Sequence, residues 1–293
     1  MKKINIDDPF YPEKLKKIPK PPLCLYTEGN LDLLNTNSIA IIGSRVASEN
    51  GKKFAKKFAT ELSQIGLTII SGLARGIDTV AHAGSYNQVG KTIAVLGCGF
   101  NKIYPPENLD LYKKILDNNG LVVSEYSPDT EAQSSNFINR NRIISGLALG
   151  ILVVEAKSKS GTGKTAKIAK KQGKAVFALP HEIDDLHGVG TNRLIKNGAI
   201  LTTETIDILN TLKLVKYKEE FLKLNNCNYL NSKIEFSDSK QSTIFGFIND
   251  TPISANDLSR KTGYTINEIL STLFIFEMNG YIKKVSGGYI TCT

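Results

Sequence analysis

The chain has 293 residues, 41% of them hydrophobic, and 37 Lys and Arg against 28 Asp and Glu give a formal net charge of +9. That length suggests one large domain and one small one, and the basic excess fits either a polyanionic partner or a lysine-rich solvated surface. No apolar run is long enough to span a bilayer. Residues 1–8 lack the apolar core of a signal peptide, and Cys24, Cys98, Cys227 and Cys292 form no C-x-x-C pair. Neither a zinc site nor a disulfide framework is expected, and the expected compartment is the cytoplasm, with no membrane association.

Residues 1–35 carry Pro9, Pro12, Pro19, Pro21 and Pro22, which predicts an extended, turn-rich lead-in packed on the main domain. From residue 36 to residue 212 short apolar runs alternate with helical patterns. The predicted strands are residues 39–42, 67–70, 92–96, 121–123, 151–154 and 175–178. They are largely continuous and β-branched, as strands covered on both faces should be. The predicted helices are residues 51–64, 77–88, 109–118, 140–149 and 164–171. This rhythm predicts an α/β fold: a doubly wound, mostly parallel, Rossmann-like sheet. Residues 213–240 are polar with little periodicity and read as a linker. Residues 241–293 offer helices at 242–249, 255–262 and 266–279, then a hairpin turning at Ser286-Gly287-Gly288, which together suggest a winged-helix module.

In a doubly wound sheet, ligands bind at the carboxyl ends of the strands, so the loops after the strands matter most. The first holds Gly43-Ser44-Arg45 and opens a helix whose amides face any anion. It is not the G-x-G-x-x-G fingerprint, and the plainer reading is a βα turn with a surface arginine. The second, Ser71-Gly72-Leu73-Ala74-Arg75-Gly76-Ile77-Asp78, points at phosphate again, although Asp78 also suits a first helical turn. The third, Gly97-Cys98-Gly99-Phe100 before Tyr104-Pro105-Pro106, is explained as well by packing as by ligand.

The fourth loop ends in Phe137-Ile138-Asn139-Arg140-Asn141-Arg142. Two arginines two residues apart on a helix point roughly 200° apart, so both are functional only if one grips ligand and the other a partner, or if the helix has barely begun there. Phe137 either stacks on a base or packs in the core. The fifth, Ser158-Lys159-Ser160-Gly161-Thr162-Gly163-Lys164-Thr165, resembles a P-loop but has serine where that motif needs its first glycine. Its amides and Lys164 suit a phosphate, while ATP hydrolysis is not expected. In the sixth, His181 and His187 lie at no zinc spacing, and with His82 they form no nucleophile–base set.

Taken in order, Gly43-Ser44-Arg45, residues 71–78, Phe137 with Arg140-Asn141-Arg142-Ile143-Ile144, Ser160-Gly161 with Thr165-Ala166, and Gly190-Thr191-Asn192 resemble the DNA-processing protein A (DprA, or Smf) family. The resemblance runs from about residue 11 to residue 212, and the C-terminal winged helix is similar to one that many members carry. It implies single-stranded DNA binding without enzymatic activity or cofactor, a homodimer, protection of DNA taken up in natural transformation, and loading of the recombinase RecA. On that reading Arg45, Arg140 and Lys164 meet phosphates, together with Ser44, Arg75 and the backbone of Gly43, Gly161, Thr162 and Gly163. Phe137 stacks on or wedges beside a base. Asn141 sets the loop or reads a base edge, and Arg142 contacts the strand or braces the loop.

Four positions depart from the family pattern. Ile138 replaces a proline, Ser134 a lysine, Thr162-Gly163-Lys164 a Ser-Leu step, and His181 a glycine; Lys164 offers a charge in place of the one missing at Ser134. The rival expectation is a phosphoribohydrolase-like enzyme acting on a nucleotide, although no glutamate closely follows Gly161-Thr162-Gly163. The third helix of the C-terminal module contains Glu268 and Glu277 and no lysine or arginine, whereas Arg260, Lys261, Lys283 and Lys284 lie elsewhere. A sequence-specific duplex reader needs basic residues on that helix, so none is expected.

Overall fold

The computed structural model describes residues 1–158, 160–231, 238–249, 251–279 and 281–291. Lys159, Cys292 and positions 232–237 of the expected linker lie outside the described residues. The chain divides into two compact units, Met1–Phe221 and Leu222–Thr293.

The first unit is built on a nine-stranded sheet in the order β1-β2-β6-β5-β4-β3-β7-β8-β9. Its strands are β1 (Lys2–Asn5), β2 (Cys24–Gly29), β3 (Ser38–Ile42), β4 (Thr68–Ser71), β5 (Thr92–Val95), β6 (Leu121–Ser124), β7 (Gly150–Val153), β8 (Ala175–Ala178) and β9 (Ile200–Leu201). From β6 across to β9 all pairings are parallel. The helices are α1 (Glu13–Lys16), α2 (Glu49–Gln64), α3 (Ile77–Ser85), α4 (Leu109–Asp117), α5 (Ser134–Leu147), α6 (Gly161–Lys171), α7 (Val189–Lys196) and α8 (Thr205–Thr211), and the boundary between the units falls within α9 (Val215–Asn231). Residues of β3 to β7 are buried throughout, as continuous apolar runs require when both faces are covered. The chain leaves β3 toward β4 on one side and returns to β7 on the other. The switch point, where such sheets open a crevice, therefore lies between β3 and β7.

The proline-rich lead-in is more than a packed segment. Its β1 and β2 join the sheet antiparallel, with β2 in register with β6 from Tyr26↔Ser124 to Gly29↔Leu121. Leu15, Ile18 and Leu25 enter the same core cluster as Ile143 and Leu147, and the buried Tyr11 hydroxyl donates to the Pro22 carbonyl at 2.7 Å. The prolines stand outside the two strands and punctuate the turns between them, which hides strands this short from a pattern search.

The segment expected as a linker is helical over Val215–Asn231. Lys, Glu and Leu favour helix without any apolar stripe, so periodicity gave no signal there. α5 begins at Ser134, six residues before the expected start, and Gln133 at its N-cap makes no side-chain cap that would mark the start in the sequence. The second unit is a winged helix. It comprises α10 (Ser239–Phe245), α11 (Ala255–Thr262), α12 (Ile266–Met278) and the hairpin β10 (Ile282–Val285) and β11 (Gly288–Thr291). Its own core gathers Ile244, Ile248, Leu258, Ile269, Leu273, Phe276 and Ile282. Among the described residues, no helix is long and apolar enough to cross a membrane.

Candidate functional site

A cleft of about 650 Å3 opens at the carboxyl ends of the parallel strands, at the switch point. Five loops supply its walls: Gly43–Val46 after β3, Ala74 and Asp78 after β4, Tyr104 after β5, residues of the α5 start after β6, and Lys157 with Ser160, Gly161, Thr162, Lys164 and Thr165 after β7. The first two loops touch through their backbones. The Ile77 amide donates to the Ser44 carbonyl at 3.1 Å. Gly76 has φ +75, and a Cβ on it would stand 2.3 Å from that same oxygen, so only glycine fits there.

Arg45 is exposed at the rim, its guanidinium 5.3 Å from the centre of the Phe137 ring. Among the described residues it has no ion-pair partner. Phe137 sits on the first turn of α5 and is half-buried. The ring rests against Gly97, where a Cβ would come within 2.6 Å of it. Opposite, Ser160 caps α6 by accepting from the Gly163 amide at 3.3 Å. One of the three amides expected to face a ligand is thus already engaged, which leaves the first-turn amides of Gly161 and Thr162 at the helix N-terminus. The Thr162 hydroxyl donates to the Gly43 carbonyl at 3.1 Å and ties the fifth loop to the first. Lys164, on α6, and Ser134, on α5, are both exposed and both line the cleft.

The remaining arginines behave differently from the expectation of direct contact. Arg140 is 3% exposed. Its Nη1 donates to the carbonyls of Gly72 and Val95, and its Nε to Asn141 Oδ1 at 3.2 Å. It braces the cleft floor, because Nη1 is held by two backbone carbonyls and Nε by Asn141. Burial lowers its pKa to about 10, with Asp78 opposing the shift, so it stays charged at neutral pH and contributes field from below. Asn141 donates to Thr165 Oγ1 at 2.7 Å and locks α5 to α6, so it sets the loops.

Arg142 points the other way, as the helical angle predicts. It pairs with both Glu125 oxygens at 2.8 and 2.6 Å and donates to the Lys20 carbonyl, which is the bracing role. Arg75 lies outside the cleft lining, in an ion pair with Glu107 and 6.0 Å from the Tyr104 ring centre.

Beneath the second loop, Asp78 accepts from the Gly72 amide at 3.1 Å, and burial raises its pKa. His82 accepts from the Leu73 amide at 3.2 Å and contacts Thr92 Oγ1 at 2.8 Å. Burial lowers its pKa to about 3, so it is neutral. Glu155, fully buried, accepts from the Ser48 amide at 3.1 Å and from its hydroxyl, fixing the far end of the Arg45 loop. Sequence reasoning missed Glu155 and the wall residues Val46, Tyr104 and Lys157; their only signal was a place in a loop at the carboxyl edge. Among the described residues no cluster could hold a metal ion.

A convergent set of exposed cations, a half-exposed ring and a helix N-terminus suits a phosphate-bearing chain with unsaturated bases. Comparison with known proteins agrees in kind. Residues 2–213 match the family model for DNA recombination-mediator protein A, and residues 233–288 that for the DprA winged helix domain. The chain is similar to protein Smf of Escherichia coli, at 37% identity over 98% of this chain and 76% of that one. It is similar to the X-ray structure of DNA processing protein A from Streptococcus pneumoniae, with TM-score 0.68 and 41% identity over 71% of this chain and 73% of that one. It also resembles the structure of DNA processing protein A from Helicobacter pylori, solved for insight into that protein's unique single-stranded DNA binding mode. There the TM-score is 0.64 and the identity 33%, covering 69% of this chain and 92% of that one.

Proposed function

Because the chain belongs to the DNA recombination-mediator protein A family, we propose that its cleft is a binding site for single-stranded DNA and that it catalyses no reaction. The observation that carries this reading is the exposed Arg45 guanidinium over the half-exposed Phe137 ring. A base stacks on the ring while the arginine and Lys164 take the flanking phosphates. The first-turn amides of α6 add a neutral anion site. Arg140 supports this from beneath by holding the Gly72 and Val95 carbonyls. Lys164, which lines the same cleft, supplies a cation where Ser134 does not.

The wider role we assign is cytoplasmic: a homodimer that protects incoming single strands and loads RecA on them during natural transformation. The resemblance of the Helicobacter pylori protein, with its single-stranded DNA binding mode, supports the ligand. The rival nucleotide-processing enzyme needs a carboxylate at hand for the sugar. Among the described residues the carboxylate lining the cleft is Asp78, and it is occupied by the Gly72 amide.

A salt titration of oligo(dT) binding tests the site. Arg45→Ala should flatten the slope of log K against log salt by about 0.7 per lost phosphate contact. An unchanged slope and affinity would remove Arg45 from the interface. Base release from a nucleoside monophosphate would revive the enzyme.

A further inference from the structure

The row of rings and cations that begins with Phe137 and Arg45 continues through Tyr104, in the cleft wall, to Arg75 beside it. Phe137 has Arg45 over it and Tyr104 beside it, with ring centres 5.6 Å apart and planes tilted by 45°. Tyr104 in turn carries Arg75, whose guanidinium lies 6.0 Å from the ring centre. Two arginine-over-ring pairs thus stand side by side: one from the loops after β3 and β6, the other from the loops after β4 and β5. Tyr104 is 39% exposed and lines the cleft. An aromatic ring left open beside a basic groove is what successive bases stack on.

Arg75 is engaged by Glu107, and the two side chains are 53% and 52% exposed. An ion pair so open to water adds little stability, and its geometry transfers readily to another oxyanion, since a phosphodiester accepts the same guanidinium donors as a carboxylate.

We propose that Tyr104 is a second base platform next to Phe137, and that Arg75 is its phosphate contact, released from Glu107 when a strand occupies the cleft. This rests on the single-strand reading above. No bond is made or broken in the exchange: Arg75 leaves one oxyanion for another, and Glu107 returns to water. Glu107 therefore works against binding, by holding Arg75 and by standing beside the strand.

The test is fluorescence polarisation of labelled oligo(dT) on the full-length protein. Tyr104→Leu, which keeps bulk and loses the ring, should weaken binding about five-fold or more, and Tyr104→Phe should restore it. Glu107→Gln should tighten binding, and that gain should vanish when Arg75→Ala is added, a coupling a double-mutant cycle reads directly. Both residues of the cycle are at the surface, so it holds even where a change at Tyr104 disturbs folding. Wild-type affinity in Tyr104→Leu, alongside clear losses in Phe137→Leu and Arg45→Ala, would overturn the second platform and leave the first intact. A Glu107→Gln gain that persists without Arg75 would overturn the exchange, showing charge removal alone. No oligo(dT) binding by the wild-type protein would overturn the underlying reading instead.

Discussion

The α/β unit and the winged helix present opposite chemistry where each would be expected to meet DNA. At the carboxyl end of the sheet, exposed Arg45 and Lys164 stand around a ring, with a charged Arg140 beneath. On α12, the helix that a duplex-reading winged helix would place in the major groove, Ile266, Leu270, Phe274 and Met278 recur every four residues and are exposed, Phe274 by 64%. Its Glu268 is held by Lys240 at 2.6 Å. A familiar fold therefore does not supply a familiar function. The parallel sheet has its functional groups on loops, and the three-helix module has kept its architecture without a cation on the helix that would read base edges; its Arg260, Lys261, Lys283 and Lys284 lie on α11 and the wing.

The largest expected difference between the two units is in acid. All three histidines lie in the first unit. His82 is held neutral, its pKa lowered from 6.5 to about 3 by burial. Its contribution to stability is complete above the unfolded value and is lost as pH falls from about 6.5 toward 3, because the unfolded chain then binds a proton the native state refuses. The slope is up to about 1.4 kcal/mol per pH unit. Urea unfolding followed between about pH 6.5 and 5, above most carboxylates, should show the first unit weakening, and His82→Gln should flatten that trend. A slope that persists in the variant would assign it to other groups.

Arg140→Ala should cost about 3 kcal/mol or more in the first unit, since two buried loop carbonyls and Asp78 lose their cation. Single-strand affinity should fall with it as the floor collapses. A variant that melts like the wild type yet fails to bind would make Arg140 a contact residue after all. Phe137→Ala, in contrast, should leave the melting temperature nearly unchanged and reduce oligo(dT) affinity by about 1–3 kcal/mol. Equal affinity on a strand with an abasic site opposite the ring would remove stacking as the cause.

The smallest effect is reserved for α12. Phe274→Asp should shift single-strand affinity by less than about 0.5 kcal/mol, and deleting residues 240–293 should leave most of it. Loss of binding in either variant would dissolve the contrast between the units.

Much of this was legible in the residues, and the gaps have specific reasons. Continuous β-branched runs marked the six strands of the sheet's parallel core because burial on both faces writes itself into composition. The 200° divergence of Arg140 and Arg142 was legible too, but not which of them met the cleft; that depends on the carbonyls of Gly72 and Val95, far away in the chain. Tyr104 was invisible as a wall residue because its loop reads equally as packing. β9, two residues long, and α9, helical by propensity alone, left no periodic trace.

The pairing of β2 with β6 sets an order on the chain's synthesis. On its β6 side Tyr26 finds its partner only at Ser124, so the first strands made, which can pair only with each other, must wait for the sheet while β3, α2, β4, α3, β5 and α4 are produced. Such long-range closure is slow relative to local helix formation. The central strands are free to assemble first, with the earliest-made segment sealing the β6 edge afterwards. Until then that edge is an open template for other chains, and Lys2 and Lys3, carried on the outermost strand, arrive with the segment that closes it.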